Sequence, residues 1–375
     1  MPTKRTIRLL SLILLLVTLS LTVFVAHQRP SKADSSGFPT VSGTQILDGS
    51  GNPLVLRGTQ VETSFMYAGS WKGKKNNVTS KLNPTVFSQM TTNWHMNTLR
   101  LSISNWIYAS DPVNYLNLLD QVVQEANQAG LYVILNLHDD QKSGSPYGTG
   151  ADVPKPETVA FWQTIAAHYA SNTMVMFEAF NEPQYPDANT WLNGGGTVTG
   201  STGKSTTIVG MQALVNAIRS TGAPQIIMIG GVATAITGSQ FIQDPNIVYT
   251  RDVYQQVASG NPTQWDALWG PLKGQYPLDF GEWALLPNTN QASRCKGATM
   301  ANADQLVTNF MNYMDQNGIS WTAWQFDTYY LIQDHTSFTP TQLDDPNNPW
   351  VCPSPKSTAG MGAVVQQHLL SLPTP

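Results

Sequence analysis

The chain has 375 residues and a formal net charge of −4, and 12% of its residues are charged, against about a quarter in an average soluble protein. Gly, Asn, Thr, Ser and aromatic residues are plentiful, as in extracellular proteins. An acidic chain disfavours nucleic acids and polyanionic glycans as partners, and this length fits one barrel of alternating strands and helices.

At the N-terminus, Lys4, Arg5 and Arg8 precede an apolar stretch over residues 9–26, and Ser31-Lys32-Ala33 offers small residues where a signal peptidase cuts. The expected organisation is an export signal over 1–33 and a single domain over 34–375. Because the apolar stretch approaches the roughly 20 residues that span a bilayer, an uncleaved membrane anchor through 9–26 is the alternative. Either way the body lies outside the cytoplasm. Losing residues 1–33 removes five cations and no acid, so −4 becomes −9. In that compartment Cys295 and Cys352 are expected to form a disulfide, with two free thiols as the alternative.

Eight apolar runs then read as strands: 54–60, 97–104, 131–138, 174–181, 225–231, 246–254, 277–283 and 319–326. Helical patterns separate them. Asp111 and Pro112 suit N-cap and N1, Leu116, Leu119, Val122, Val123 and Ala126 repeat at helical spacing, and Gly130 stops that helix. Asn317-Gly318 repeats the stop before the eighth run. Eight strands alternating with helices predict a (β/α)8 TIM barrel. The alternative, an open doubly wound sheet, lacks a Gly-rich phosphate loop after its first strand.

Connections from helix to strand are short, whereas those from strand to helix (61–83, 183–204, 284–300 and 327–358) are long and rich in Gly, Asn, Trp and Pro. Long loops therefore gather at the C-terminal rim, where barrel enzymes hold their chemistry. Asn181 and Glu182 in "FNEP" end the fourth run, and Glu282 in "FGEW" ends the seventh. Two carboxylates facing each other across a cleft suit glycosidic hydrolysis: one stays protonated to serve the leaving oxygen, the other ionised to attack or stabilise the anomeric carbon.

On these motifs, with "LVLRGTQ" resembling the first strand and "SWTAWQF" the eighth, the mature chain resembles the family 5 glycoside hydrolases, cellulase-like retaining enzymes. The resemblance implies Glu182 as general acid/base, Glu282 as nucleophile, and neither a metal nor an organic cofactor. It further implies that Arg100 holds the nucleophile ionised, that His138 orders sugar hydroxyls, that Asn181 contacts the 2-hydroxyl, that Tyr254 hydrogen-bonds the nucleophile, and that Trp324 lies under the sugar. One position departs: Asp252 stands where the family usually has histidine, which places the substrate assignment in doubt more than catalysis and could raise the acid's pKa.

The implied partner is a β-1,4-linked polysaccharide, cellulose-type glucan first, with mannan, xylan, mixed-linkage glucan and transglycosylation left open. A monomer is expected. A sugar-binding protein on the same scaffold is the reading from another class. Glu178 shares parity with Glu182 but sits about 13 Å deeper at strand rise, so it reads as a structural carboxylate. Asp139 and Asp140 could line the cleft or serve as caps. Trp71, Trp106, Trp191, Trp283 and Trp350 fall in rim loops as candidate stacking platforms, and the Gly-rich loop 192–205 is expected to be mobile. Asn77-Val78-Thr79 fits a glycosylation acceptor and carries no functional weight. The cysteines follow the seventh and eighth strands, so their bridge would clamp two walls of the cleft.

Overall fold

The computed structural model describes residues 37–61, 75–139, 153–199, 205–231 and 241–373, with backbone alone at 75–77 and 139. The expected signal or anchor, Trp71 and Asp140 lie outside the described residues, as do the side chains of Asn77 and Asp139. Among the described residues no helix is long and apolar enough to cross a membrane.

Eight parallel strands close into a barrel in chain order: β1 (Arg57–Val61), β2 (Thr98–Ser104), β3 (Tyr132–Asp139), β4 (Val175–Glu178), β5 (Ile227–Ile229), β6 (Ile247–Val253), β7 (Leu278–Trp283) and β8 (Ser320–Ala323). The ring closes where Trp321 pairs with Arg57. Each expected run supplies one strand, but most strands are shorter than their runs, β5 covering only Ile227–Ile229 of 225–231. β1 starts at Arg57 and β8 ends at Ala323. β4 stops at Glu178, so Asn181 and Glu182 lie past the strand and not at its last positions. Pairing beyond Glu178 is irregular: the N–H of Ala179 reaches Met228 O at 3.0 Å, and that of Asn181 reaches Leu137 O at 2.9 Å.

The helix Pro112–Gln128 begins with proline at its first position and buries Tyr115, Leu118, Leu119, Val122, Val123 and Ala126. Asp111 is its N-cap residue, yet its carboxylate accepts from Asn114 Nδ2 at 3.0 Å and caps no backbone N–H. The Gly-rich segment is not a loose loop in its described parts. Gly194–Thr199 and Ser205–Val209 pair as an antiparallel hairpin, since alternating Thr and Val suit a pleated ribbon and the glycines tolerate positive φ.

The barrel interior is layered. At its N-terminal end Leu56, Ile134, Met176, Ile226, Met228 and Val248 form an apolar plug. Ile46, from the antiparallel sheet Thr40–Ser42, Gln45–Leu47 and Pro53–Leu54, seals it from below. Fully burying each such side chain contributes about 1.5–3 kcal/mol. Above the plug the contents turn polar: Gln60, Arg100, Asn136, Glu178, Thr250, Asp279 and Thr322 are all buried. Such a layer is stable only if its members satisfy one another's hydrogen bonds.

Cys295 and Cys352 form the expected disulfide, joining the segments that follow β7 and β8 across a separation of 57 residues. Closing a loop of that length restricts the unfolded chain. Replacing both cysteines with serine is expected to lower stability by about 2–4 kcal/mol, read as a lower midpoint of thermal unfolding at unchanged far-UV circular dichroism.

Candidate active site

Arg100 organises the rim end of the barrel. Strand register sets Gln60 directly opposite it on β1, and its guanidinium is wholly buried. All five N–H groups are committed. Nε and one Nη2 hydrogen go to the two oxygens of Glu178 at 2.6 and 2.7 Å. The other Nη2 hydrogen goes to Asn181 Oδ1 at 2.8 Å. The Nη1 hydrogens go to Glu282 Oε1 at 2.7 Å and to Gln60 Oε1. A fork with five donors matches this ring of acceptors in a way lysine could not. Glu178 is thus the structural carboxylate anticipated from sequence, but it lines the same cavity as Glu182, because the chain abandons strand geometry between them.

Glu282 reaches the interior through a β-bulge. Thr250 pairs with Asp279 and Asp252 with Glu282, so three steps on β7 match two on β6, and the same extra residue appears against β8. Strict alternation would turn Glu282 outward, given that Asp279 already faces inward to accept from Thr250 Oγ1 at 2.8 Å; one added residue restores the inward direction. Gly281 makes this close approach feasible. A Cβ there would lie 2.6 Å from Thr250 Oγ1 and 3.2 Å from Asp252 Oδ1.

Glu282 Oε2 accepts from the Tyr254 hydroxyl at 2.6 Å, and His138 Nδ1 stands 3.6 Å from Oε1. Burial alone would raise the pKa of Glu282. The Arg100 charge, His138 and the hydrogen bonds from Tyr254 and Arg100 outweigh it and hold the carboxyl below its ordinary value. Tyr254 moves the other way, pushed up by burial and then by the charges of Glu282 and Asp252, so it stays a donor. The Arg294 guanidinium covers the Tyr254 ring at 4.9 Å, and the disulfide at the adjacent Cys295 anchors that segment.

Glu182 is exposed at the mouth with φ 39°, a left-handed conformation that costs a non-glycine residue energy and recurs at functional sites. The following Pro183 presses on Gly231, where a Cβ would sit 2.2 Å from the proline ring. One carboxylate oxygen from each of Glu182, Asp252 and Glu282 lies within 4.8 Å of the other two. A cavity of about 350 Å³ opens beside them, lined in part by Glu178, Gln184, Thr250 and Gln256. The three-carboxylate spacing is one a cation could use. However, both Glu282 oxygens already accept hydrogen bonds and Arg100 is bonded to the same group, so no metal is assigned there.

The remaining predicted residues converge on the same spot. His138 Nδ1 lies 2.8 Å from Asn136 Oδ1 and 3.4 Å from Gln60 Nε2, so the ring is tied to the same polar layer as Arg100. Trp324, half-buried, lies nearly parallel to the His138 ring at 6.1 Å and edge-on to Tyr254 at 6.4 Å. All seven residues singled out from the sequence therefore belong to one connected cluster at the rim end of the barrel.

Three of the proposed tryptophan platforms do not. Trp191, Trp283 and Trp350 are buried. Trp191 donates to Gly230 O at 3.0 Å, Trp350 to Leu343 O at 2.6 Å, and Trp283 packs on Phe310 and Trp321. Their apolar faces serve the shell beneath the rim; Trp106 is partly buried against that core. Sequence reading missed Gln60 and Asn136 as members of the network. The signal was there for Gln60, a polar residue closing an apolar strand whose side chain must then find partners inside.

Fold and site together define a parallel-barrel protein with its working groups at the C-terminal rim. The chain belongs to the cellulase family, glycosyl hydrolase family 5, whose profile matches residues 47–329. Endoglucanase EG-II of Hypocrea jecorina is 26% identical over 250 residues, covering 59% of this chain and 53% of that protein. Endoglucanase E-5 of Thermobifida fusca is 24% identical over 299 residues, covering 76% and 55%. The chain spans about half the length of these curated relatives. A β-glucanase from Saccharophagus degradans, solved in complex with cellotetraose, shares the fold with a TM-score of 0.65 at 22% identity, covering 91% of this chain and 97% of that one.

Removing Arg100 would strand Glu178 and Glu282 as uncompensated buried charges. Arg100→Met is expected to cost about 3–5 kcal/mol at neutral pH, measured by denaturant unfolding. The sign with pH follows from Glu282, whose folded pKa lies below its ordinary value of 4.5. Its stabilisation is complete above that value and is lost as pH falls through the lower folded one, so the deficit of the variant should shrink on acidification.

Proposed function

We propose that the protein is a retaining glycoside hydrolase acting on β-1,4-linked glucan of the cellulose type. The observation that carries this reading is the approach of Glu182 and Glu282, with carboxylate oxygens within 4.8 Å. Double displacement uses carboxyl groups about 5–5.5 Å apart, whereas inversion needs about 6.5–9.5 Å to admit a water.

In the first step a Glu282 oxygen attacks the anomeric carbon and the glycosidic C–O bond breaks. The Glu182 proton passes to the leaving oxygen, giving a glycosyl ester on Glu282. In the second, water attacks the same carbon, its proton passes to Glu182, and Glu282 departs as carboxylate. Arg100 and Tyr254 hold Glu282 ionised and oriented for attack. Asn181, whose oxygen is pinned by Arg100, turns its amide nitrogen toward the sugar. His138 hydrogen-bonds a sugar hydroxyl, and the Trp324 face covers the C–H surface of the pyranose.

The glucan assignment is supported by relatives named endoglucanases and by the cellotetraose complex of the S. degradans structure. Export of the chain, by a cleaved signal or with the segment 9–26 as an anchor, and action as a monomer belong to the same proposal; the disulfide supports the extracellular part.

Incubation with soluble glucan, mannan and xylan should release reducing ends from glucan first, with products of retained β configuration by NMR. Initial products of inverted configuration, or binding of a glycan without cleavage of any, would overturn the reading. Glu182→Gln is expected to slow turnover about 10²–10⁴-fold with an unchanged unfolding midpoint, and Glu282→Ala to abolish it with a lower midpoint, because Arg100 and Tyr254 each lose a buried acceptor.

A further inference from the structure

Three carboxyl groups lie around one guanidinium, Glu178 from β4, Asp252 from β6 and Glu282 from β7, with Asp279 deeper on β7, and Glu182 from the loop after β4 stands at the mouth beside Asp252 and Glu282. The Arg100 hydrogens are all committed, and none reaches Asp252. Tyr254 gives its hydroxyl to Glu282, and His138 faces that same carboxylate. Arg251, the neighbour of Asp252 in sequence, turns its guanidinium over the Trp269 ring at 5.9 Å. Asp252 therefore has no hydrogen-bond donor among the described residues. It lies opposite Glu282 in the ladder, and its oxygen is within 4.8 Å of oxygens on both Glu282 and Glu182.

We propose that Glu182 and Asp252 work as a pair that carries a single negative charge between them through neutral pH, so that Asp252 sets the pH at which Glu182 gives up its proton. Asp252 is in this sense a positioning residue for the proton, and the inference rests on Glu182 being the acid. With Glu282 already ionised, taking the last proton from the pair would place three negative charges within 4.8 Å of one another. Like charges at that range disfavour joint ionisation strongly. The direction found for Asp252 agrees: burial, then the Glu282 charge, with Glu182 and Glu178 adding, hold its carboxyl well above the usual range against the pull of Arg100. The pair then titrates in two macroscopic steps that belong to neither residue alone. The second step, the loss of the last proton, forms the alkaline limb of activity.

The test is the pH profile of kcat/KM on a soluble β-glucan for the wild type and Asp252→Asn, which keeps the side-chain shape and removes the charge. With Glu282 as its one remaining carboxylate neighbour in that trio, Glu182 ionises earlier, and the alkaline limb should move down by about one pH unit or more. A limb that stays in place or moves up overturns the pairing; a merely structural role for Asp252 would lower rates without moving it. A second readout is independent of activity and of whether the variant folds: ¹³C NMR titration of side-chain carboxyls in the wild type, with Glu182 assigned through E182Q. Glu182 and Asp252 should each show two inflections at shared pH values. Separate single-step curves overturn the pairing. If the wild type cleaves no glycan, the functional reading fails by itself, and the NMR titration still decides whether the two carboxyls are coupled.

Discussion

One buried guanidinium sets the terms for the rest of this site. Arg100 sits where the interior of the barrel changes from apolar plug to polar rim, and its five hydrogens are matched by acceptors from four parts of the chain: β1, β4, the turn after β4, and β7. A charge withdrawn from water in this way is tolerable only when every donor is satisfied and counter-charges are adjacent. Meeting that requirement brings Glu178, Asn181, Gln60 and Glu282 to one point. The orientation of Glu282 is thus a by-product of solvating Arg100.

The backbone makes two concessions so that this arrangement can face a substrate. The bulge in β7 reverses the direction Glu282 would otherwise take, and Gly281 lets β7 lie against Thr250 and Asp252. After β4 the chain turns through a positive φ at Glu182, lifting that carboxylate to the mouth while Glu178 stays beneath it. Both are departures from ideal strand geometry, and both fall at the two carboxylates that the proposed reaction uses.

Much of this was legible in the sequence, for reasons that differ by element. Barrel strands buried on both faces read as unbroken apolar runs, so all eight were found. Their ends were not, since hydrogen-bond pairing in β4 and β8 lapses before the apolar composition does. "FNEP" and "FGEW" marked Glu182 and Glu282 because two carboxylates, each in its own motif, stand where apolar runs reach the rim that carries barrel chemistry. Period-two reasoning alone would have misdirected Glu282, the bulge being invisible without a partner strand. The rim tryptophans misled because an aromatic near the rim can pack back onto the shell, as Trp283 does from the end of β7, Trp191 from a short helix and Trp350 from a loop. The paired strands 194–199 and 205–209 were hidden by glycines that mimic a flexible linker. Asp252 was noticed as a substitution, but its position between two other carboxylates is a property of strand register, which one sequence does not display.

The central claim is that Glu282, held ionised by Arg100 and Tyr254, is the atom source for a covalent bond to the sugar. Peptide mapping by mass spectrometry after reaction with an activated 2-deoxy-2-fluoro-β-cellobioside addresses it directly, because the fluorine slows the second step and lets the ester accumulate. The account predicts one glycosyl adduct per chain, on Glu282. An adduct on Glu182, Asp252 or Glu178, or unlabelled protein that nevertheless hydrolyses the reagent, would contradict it.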